Sequence, residues 1–212
     1  MTQNTSSAFW HKIAEKYAAR PLDDPEAYEV WLAQVISYLK KTDRVLEVGC
    51  GTGSTALRLA PHVQSFLAAD FAPRMIEIAE EKRVTDGADN LRFVCSDPFS
   101  EELSPADGEP YDAVMAYSFL HLVDAPDQMV QHLANQLRPG GLLITKTVCL
   151  KQLAFLFVPL IGLMRLFGKA PPVKMVGAKE LDEMMLTAGL EIVEEQNFGQ
   201  KVLQRFIIAR KA

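Results

Sequence analysis

The residues best suited to chemistry are gathered in one short run, Glu47-Val48-Gly49-Cys50-Gly51-Thr52-Gly53, which continues the apolar Val45-Leu46 and leads into a helical stretch near Ser54. Three glycines at alternate positions after a strand make a turn of unusual backbone angles, and the missing side chains let a ligand approach the main chain. The chemistry this serves is binding. Asp70 closes a second apolar run, where a carboxylate accepts hydrogen bonds from both hydroxyls of a ribose. Asp97 follows a third, in Val94-Cys95-Ser96-Asp97-Pro98-Phe99, placed to receive the exocyclic amino group of an adenine. Phe71 and Met75 are placed to supply apolar faces on which a purine packs, with plain core packing as the alternative.

The spacing of the loop is G-x-G-x-G. A nicotinamide fingerprint, G-x-G-x-x-G, would want glycine at 54, and Ser54 stands there. Hydride transfer is thereby disfavoured without being removed. Beyond a fourth apolar run lies His121, at the edge where ligands of α/β sheets bind. It is the candidate base or acceptor contact, with a backbone-bonded or stacking histidine as the alternative. His11, His62 and His132 carry no pattern.

These residues need a frame of short strands and helices to bring them to one edge. From Arg44 onward, brief apolar runs alternate with amphipathic stretches, the texture of βαβ units and a mainly parallel sheet. The expected strands are Arg44–Val48, Ser65–Asp70, Leu91–Ser96, Tyr111–Tyr117 and Gly141–Val148. Before them, Ser6 or Ser7 is placed to cap a helix carrying Phe9, Trp10, Ile13, Ala14 and Tyr17, and a second helix runs from Glu26 to Lys40. After them come an apolar insertion, a helix from about Ala178 to Ala188, and Glu191–Phe198 with Val202–Arg210 separated by Gly199, Gln200 and Lys201, which is hairpin spacing. That hairpin puts an antiparallel strand into an otherwise parallel sheet.

Taken in order, these motifs resemble the class I S-adenosylmethionine-dependent methyltransferases of the small-molecule type. The glycine motif matches at Glu47–Gly53, the ribose acid at Asp70 and the adenine-side acid at Asp97. The fourth-strand signature matches at Tyr111–His121, and the turn before strand five at Leu137-Arg138-Pro139-Gly140-Gly141. The resemblance covers about half of the chain, from Val45 to Thr147. It implies a Rossmann-like, mainly parallel seven-stranded sheet with helices on both faces and an antiparallel C-terminal strand, and S-adenosyl-L-methionine as cofactor with S-adenosyl-L-homocysteine as product. It also implies that Glu47, Gly49, Cys50 and Gly51 face the amino-acid end of that cofactor, with Pro98 beside Asp97 and the backbone of Tyr117 and Ser118 nearby. In similar enzymes an N-terminal helix closes over the site, which makes Tyr17 a candidate site residue, with helix packing as the alternative.

Composition narrows the partners. The 212 residues fit one domain, 1–212, with an N-terminal helical cap at 1–43 and the insertion at 150–176. A formal net charge of -5 and a pI near 5.4 weigh against nucleic acid. Cys50, Cys95 and Cys149 are far apart and form no C-x-x-C pair, so they are expected as reduced core cysteines, and no metal is expected. Met1–Ala8 is polar and small, unlike a secretory leader, and the expected location is the cytoplasm. Leu153–Met164 is too short to span a bilayer. The longer stretch Leu153–Phe167 is apolar all round and so calls for cover, whether from a lipophilic acceptor, the core, a partner subunit or a membrane surface. Pro159 and Gly162 are expected to kink or break it. The expected acceptor is small and apolar or amphiphilic. A non-catalytic cofactor-binding module and a nicotinamide oxidoreductase stay open beside methyl transfer.

Overall fold

The computed structural model describes residues 2–105, 108–199 and 202–212, with side chains from Ser6 onward. Its strands are β1 (Arg44–Val48), β2 (Ser65–Asp70), β3 (Leu91–Cys95), β4 (Tyr111–Tyr117), β5 (Leu137–Cys149), β6 (Leu190–Phe198) and β7 (Leu203–Lys211). They form a seven-stranded sheet in the order β3-β2-β1-β4-β5-β7-β6, as expected for the Rossmann-like methyltransferase sheet. The helices are α1 (Thr2–Ala18), α2 (Pro25–Tyr38), α3 (Ser54–Leu59), α4 (Pro73–Asp86), α5 (Pro126–Asn135), α6 (Ala154–Leu166) and α7 (Ala178–Thr187). The chain divides into two compact units, 1–113 and 114–212.

In 1–113, β1, β2 and β3 pair in parallel, with Val48 opposite Ala69 and Asp70 opposite Cys95. This register brings the end of β1, the end of β2 and the start of the β3 exit loop to one edge. Val45, Leu46, Val48, Phe66, Ala68 and Ala69 are buried, the apolar content that fixes strands inside a covered sheet. Helix α1 starts at Thr2, so neither Ser6 nor Ser7 caps it. The Ser7 hydroxyl instead donates to the Phe71 carbonyl at 3.0 Å, tying α1 to the end of β2. Helix α2 does have a cap. Asp24 accepts from the Ala27 N–H at 2.9 Å, and Pro25 takes the first position, where its missing N–H costs nothing.

In 114–212, β7 lies antiparallel between β5 and β6, with Thr147 opposite Arg205 and Asn197 opposite Arg205 in turn. The predicted hairpin is therefore present, with a bulge between Ile192 and Glu194; its residues Gln200 and Lys201 lie outside the described residues. Strand β5 starts at Leu137, not at Gly141. The register with β7 begins only at Leu142, so Pro139, which lacks a ladder donor, takes no position against it.

The insertion corrects one expectation. Pro159 does not end the helix: α6 runs through it as one element, at the cost of the hydrogen bond that the Phe155 carbonyl would accept. None of its 13 residues is buried, and Ala154, Phe157, Ile161 and Met164 are partly covered. Its ends are tied at the base, where Lys151 N–H donates to Val176 O at 3.2 Å and Lys174 N–H to His121 O at 2.7 Å. Among the described residues no helix is long and apolar enough to cross a membrane.

Candidate functional site

All three loop glycines hold positive φ: +69° at Gly49, +55° at Gly51 and +73° at Gly53. Their reasons differ. A Cβ at Gly51 would meet nothing closer than Tyr17 Cε1 at 3.7 Å, so this glycine leaves room. At Gly53 a Cβ would lie 2.4 Å from Phe93 Cζ and 2.9 Å from Ala79 Cβ, so that glycine serves the packing of α3 against α4 and β3. The loop is fastened from both sides. Cys50 N–H donates to Ala69 O at 3.0 Å, Gly51 N–H to Asp70 Oδ2 at 3.0 Å, and Ala72 N–H to Asp70 Oδ1 at 2.9 Å. From α4, Lys82 Nζ reaches Thr52 O, Thr52 Oγ1 and Ser54 Oγ at 3.0, 3.1 and 2.9 Å. Nothing in the sequence pointed to Lys82, because its contacts are 28 to 30 residues away and its surroundings read as a solvated helix face.

Asp70 is buried. Burial pushes its carboxyl above the usual range, against the backbone N–H groups of Ala72, Gly51 and Phe71, which favour the charge. The Gly51 N–H takes one direction on Oδ2 and the Ala72 N–H one on Oδ1. Beneath the loop, Glu47 is 2% exposed and its Oε2 has no hydrogen-bond partner among the described residues. Burial, then the charge of Asp70, pushes its carboxyl up to about 8, so Glu47 is protonated at neutral pH. A buried carboxyl oxygen left without a hydrogen-bond partner is costly unless something arrives to meet it. Tyr17 stands over Gly51 with 45% of its surface still exposed; burial on its inner side and then Asp70 raise its hydroxyl pKa.

The adenine-side candidates separate. Asp97, half-buried, uses Oδ1 to accept the Phe99 N–H at 2.8 Å in a turn; Pro98 and Phe71 are half-buried as well. Met75 is 2% exposed in a core cluster with Ala14, Ala72 and Ile78, packed against Trp10 and Ala18. Its stripe position on α4 serves the contact with α1. The cysteines are free, but only Cys149 is a core residue: Cys50 is half-buried in the loop and Cys95 is exposed at the end of β3.

In 114–212, Ser118 follows β4 with φ of +51°, a strained value for a side-chain-bearing residue, and its N–H donates to Lys146 O at 2.7 Å. Tyr117 is buried beside it. His121 lies in a short 3-10 turn, residues 120–122; it is 9% exposed, and its Nδ1 is buried without a partner among the described residues. Burial lowers its pKa to about 4, so the ring is neutral at physiological pH. Thr145 and Thr147 are also buried with unpartnered hydroxyls. The sequence signal for them was slight, two hydroxyl residues at alternate positions of an apolar strand.

Residues 45–141 match a family model described as a methyltransferase domain. The chain is 29% identical over 164 residues to the malonyl-[acyl-carrier protein] O-methyltransferase of Paenibacillus sp. (strain JDR-2), covering 74% of this chain and 59% of that one. It is 24% identical over 159 residues to the ubiquinone biosynthesis O-methyltransferase of Coxiella burnetii (strain Dugway 5J108-111), covering 73% and 66%. Over 102 residues it is 30% identical to the tRNA 5-carboxymethoxyuridine methyltransferase of Escherichia coli (strain K12), covering 47% and 38%. The chain thus spans about three fifths to two thirds of the first two relatives. Among solved structures, the N-methyltransferase NodS of Bradyrhizobium japonicum WM9, crystallised with S-adenosyl-L-homocysteine, superposes with a TM-score of 0.67 at 20% identity, covering 95% of this chain and 98% of that one. At that identity the likeness is one of fold.

Proposed function

We propose, for a chain that residues 45–141 place among the class I S-adenosylmethionine-dependent methyltransferases, the transfer of a methyl group from S-adenosyl-L-methionine to a small, apolar or amphiphilic acceptor, with 1–212 acting as one domain. The observation that carries this reading is the buried, unpartnered Glu47 carboxyl beneath a loop of three positive-φ glycines fastened to Asp70. An ammonium and a ribose are the groups such a pair of carboxyls fits. The cofactor supplies an activated methyl on a sulfonium and leaves as a neutral thioether. What remains for the protein is to hold, align and keep dry.

In this reading Glu47 meets the ammonium of the amino-acid end, and Gly49, Cys50 and Gly51 line the approach with main chain. Asp70 receives the ribose hydroxyls, Asp97 the adenine amino group, and Phe71 and Pro98 the ring faces. The resemblance assigns the Tyr117–Ser118 backbone to the methionine end, and Tyr17 closes over Gly51. His121 is assigned to the acceptor. A ring with its pKa near 4 is a weak base, so its role is to accept a hydrogen bond at Nδ1 and orient an acceptor group, with proton removal confined to acidic acceptors. A small acceptor is preferred to nucleic acid on the net charge of -5.

A thermal-shift panel is expected to show stabilisation by S-adenosyl-L-methionine and S-adenosyl-L-homocysteine and none by NAD(H). Preference for the nicotinamide would overturn the assignment. Incubation with a metabolite extract is expected to yield a product heavier by one methyl in place of hydrogen; binding without any such product favours the non-catalytic module.

Glu47 gives this reading a pH signature. The carboxyl keeps its proton up to about pH 8 and must ionise to pair with an ammonium. Affinity for S-adenosyl-L-homocysteine is therefore expected to rise with pH from 6 to about 8, with release of close to one proton per binding event at pH 7. Calorimetry in two buffers of different ionisation enthalpy measures that proton. The Glu47→Gln variant is expected to release none. Equal proton release by wild type and variant would take Glu47 out of the site.

A further inference from the structure

Between β5 and α7 the chain turns a run of apolar side chains outward. Phe155 is 81% exposed, Leu166 83% and Phe167 70%, and Leu163 is more than half exposed. An apolar helix of 10 to 14 residues is ordinarily a core helix, an interfacial segment or the core of a signal sequence. The first does not apply, since α6 buries none of its residues, and the third does not fit a segment in mid-chain after β5.

The charge pattern says what covers it. From 151 to 179 every ionisable side chain is cationic: Lys151, Arg165, Lys169, Lys174 and Lys179, in a chain whose net charge is -5. Lys151 pairs with Glu180. The other four are exposed and form no ion pair among the described residues. We infer that α6 docks the protein on an anionic lipid bilayer, its apolar side chains entering the acyl boundary and Arg165, Lys169 and Lys174 meeting the headgroups. At 13 residues the helix is about 20 Å long, too short to span and suited to lying in the interface. Its main-chain groups are largely satisfied within the helix, as an apolar medium demands. A second copy is a poorer cover. A two-fold pairing of α6 with itself would bring together two basic segments with no acid between them, whereas a negative surface pairs with each cation.

Docking itself does not depend on the methyltransferase reading, but its consequence rests on it. The return of the excursion is bonded to the His121 carbonyl through Lys174, so the docking element is continuous with the residue assigned to the acceptor. A lipophilic acceptor would then be drawn from the bilayer.

The test is flotation of the full chain with phosphatidylcholine vesicles, with and without phosphatidylglycerol. Binding to the phosphatidylglycerol vesicles is expected, weakened by salt. The variant Phe155→Ser/Leu166→Ser/Phe167→Ser is expected to lower partitioning at least about tenfold. Arg165→Gln/Lys169→Gln is expected to lower it about fivefold per charge on anionic vesicles only. Calorimetry with S-adenosyl-L-homocysteine on each variant reports an intact fold. Failure of the wild type to bind anionic vesicles while it binds S-adenosyl-L-homocysteine would overturn the docking surface. So would a dimer by light scattering that the triple-serine variant dissolves. Vesicle binding without S-adenosyl-L-homocysteine binding would leave docking standing and remove the methyltransferase reading.

Discussion

Gly53→Ala is expected to destabilise the protein by about 2 to 5 kcal/mol, although the substitution adds one methyl group. Two costs combine. The residue sits at φ of +73°, where a Cβ costs on the order of 1 to 2 kcal/mol. The new methyl would also lie 2.4 Å from Phe93 Cζ and 2.9 Å from Ala79 Cβ. The Phe93 ring can swing aside, but Ala79 is fixed on a buried helix face, so overpacking adds about 1 to 3 kcal/mol. For a chain of this size the sum corresponds to a fall in Tm of roughly 5 to 15 °C. Gly87→Ala is the control. It has φ of +66° and open space around its Cβ, and is expected to show the backbone cost alone. Adding Phe93→Ala to Gly53→Ala separates strain from volume, since a smaller side chain frees part of the space and leaves the backbone cost. Equal Tm for Gly53→Ala and Gly87→Ala would show that Gly53 serves the loop and not its packing.

That distinction was not legible in the sequence. A strand followed by alternating glycines identifies a loop that bends sharply and admits close approach, and it identified this one. It does not say which glycine faces a ligand and which faces a helix, because Phe93 and Ala79 are 40 and 26 residues away. Met75 shows the same limit. Its apolar side chain was compatible with a purine face or with core packing, and it lies in a core cluster with Ala14, Ala72 and Ile78. The strands were easier: β1, β2 and β4 begin and end where the alternation of apolar runs and turn residues put them. Strand β5 starts before Gly141 although Arg138-Pro139-Gly140-Gly141 has turn composition, and those residues take no position in its register with β7, which begins at Leu142.

The polar residues of 114–212 were the least legible. The low pKa of His121 and the unpartnered hydroxyls of Thr145 and Thr147 come from burial, which depends on tertiary packing rather than on local spacing. The reverse happened at α6. Its composition implied cover, and only the exposure of Phe155 and Leu166 shows that the described residues provide it in part. Apolar pattern reports what a segment needs, while the structure reports whether that need is met.

Asp70→Ala is expected to weaken S-adenosyl-L-homocysteine binding by about 1 to 3 kcal/mol, a factor of roughly 5 to 150 in Kd. The geometry gives the side chain two tasks. Its oxygens accept the N–H groups of Gly51 and Ala72 at 3.0 and 2.9 Å, which sets the loop, and in the proposed function their remaining lone pairs receive the ribose hydroxyls. A drop in affinity alone would not separate these, because a loosened loop also binds less well. The nucleoside fragment does. Adenosine is expected to bind the wild type more tightly than 2′-deoxyadenosine, and in Asp70→Ala that preference is expected to shrink toward unity, which is the coupling a double-substitution cycle isolates. If both fragments lose affinity by the same factor, Asp70 acts only through the loop. Stability is expected to fall as well, but by less than two hydrogen bonds to a charged group would suggest. Burial already raises the Asp70 carboxyl, so its removal relieves a desolvation cost while it strands two backbone donors. The opposing contributions predict a loss of about 1 to 3 kcal/mol, small enough for the variant to fold and for both fragments to be measured on it. An unchanged Kd for S-adenosyl-L-homocysteine on that folded variant would remove Asp70 from the site, and with it the ribose half of the argument for this cofactor.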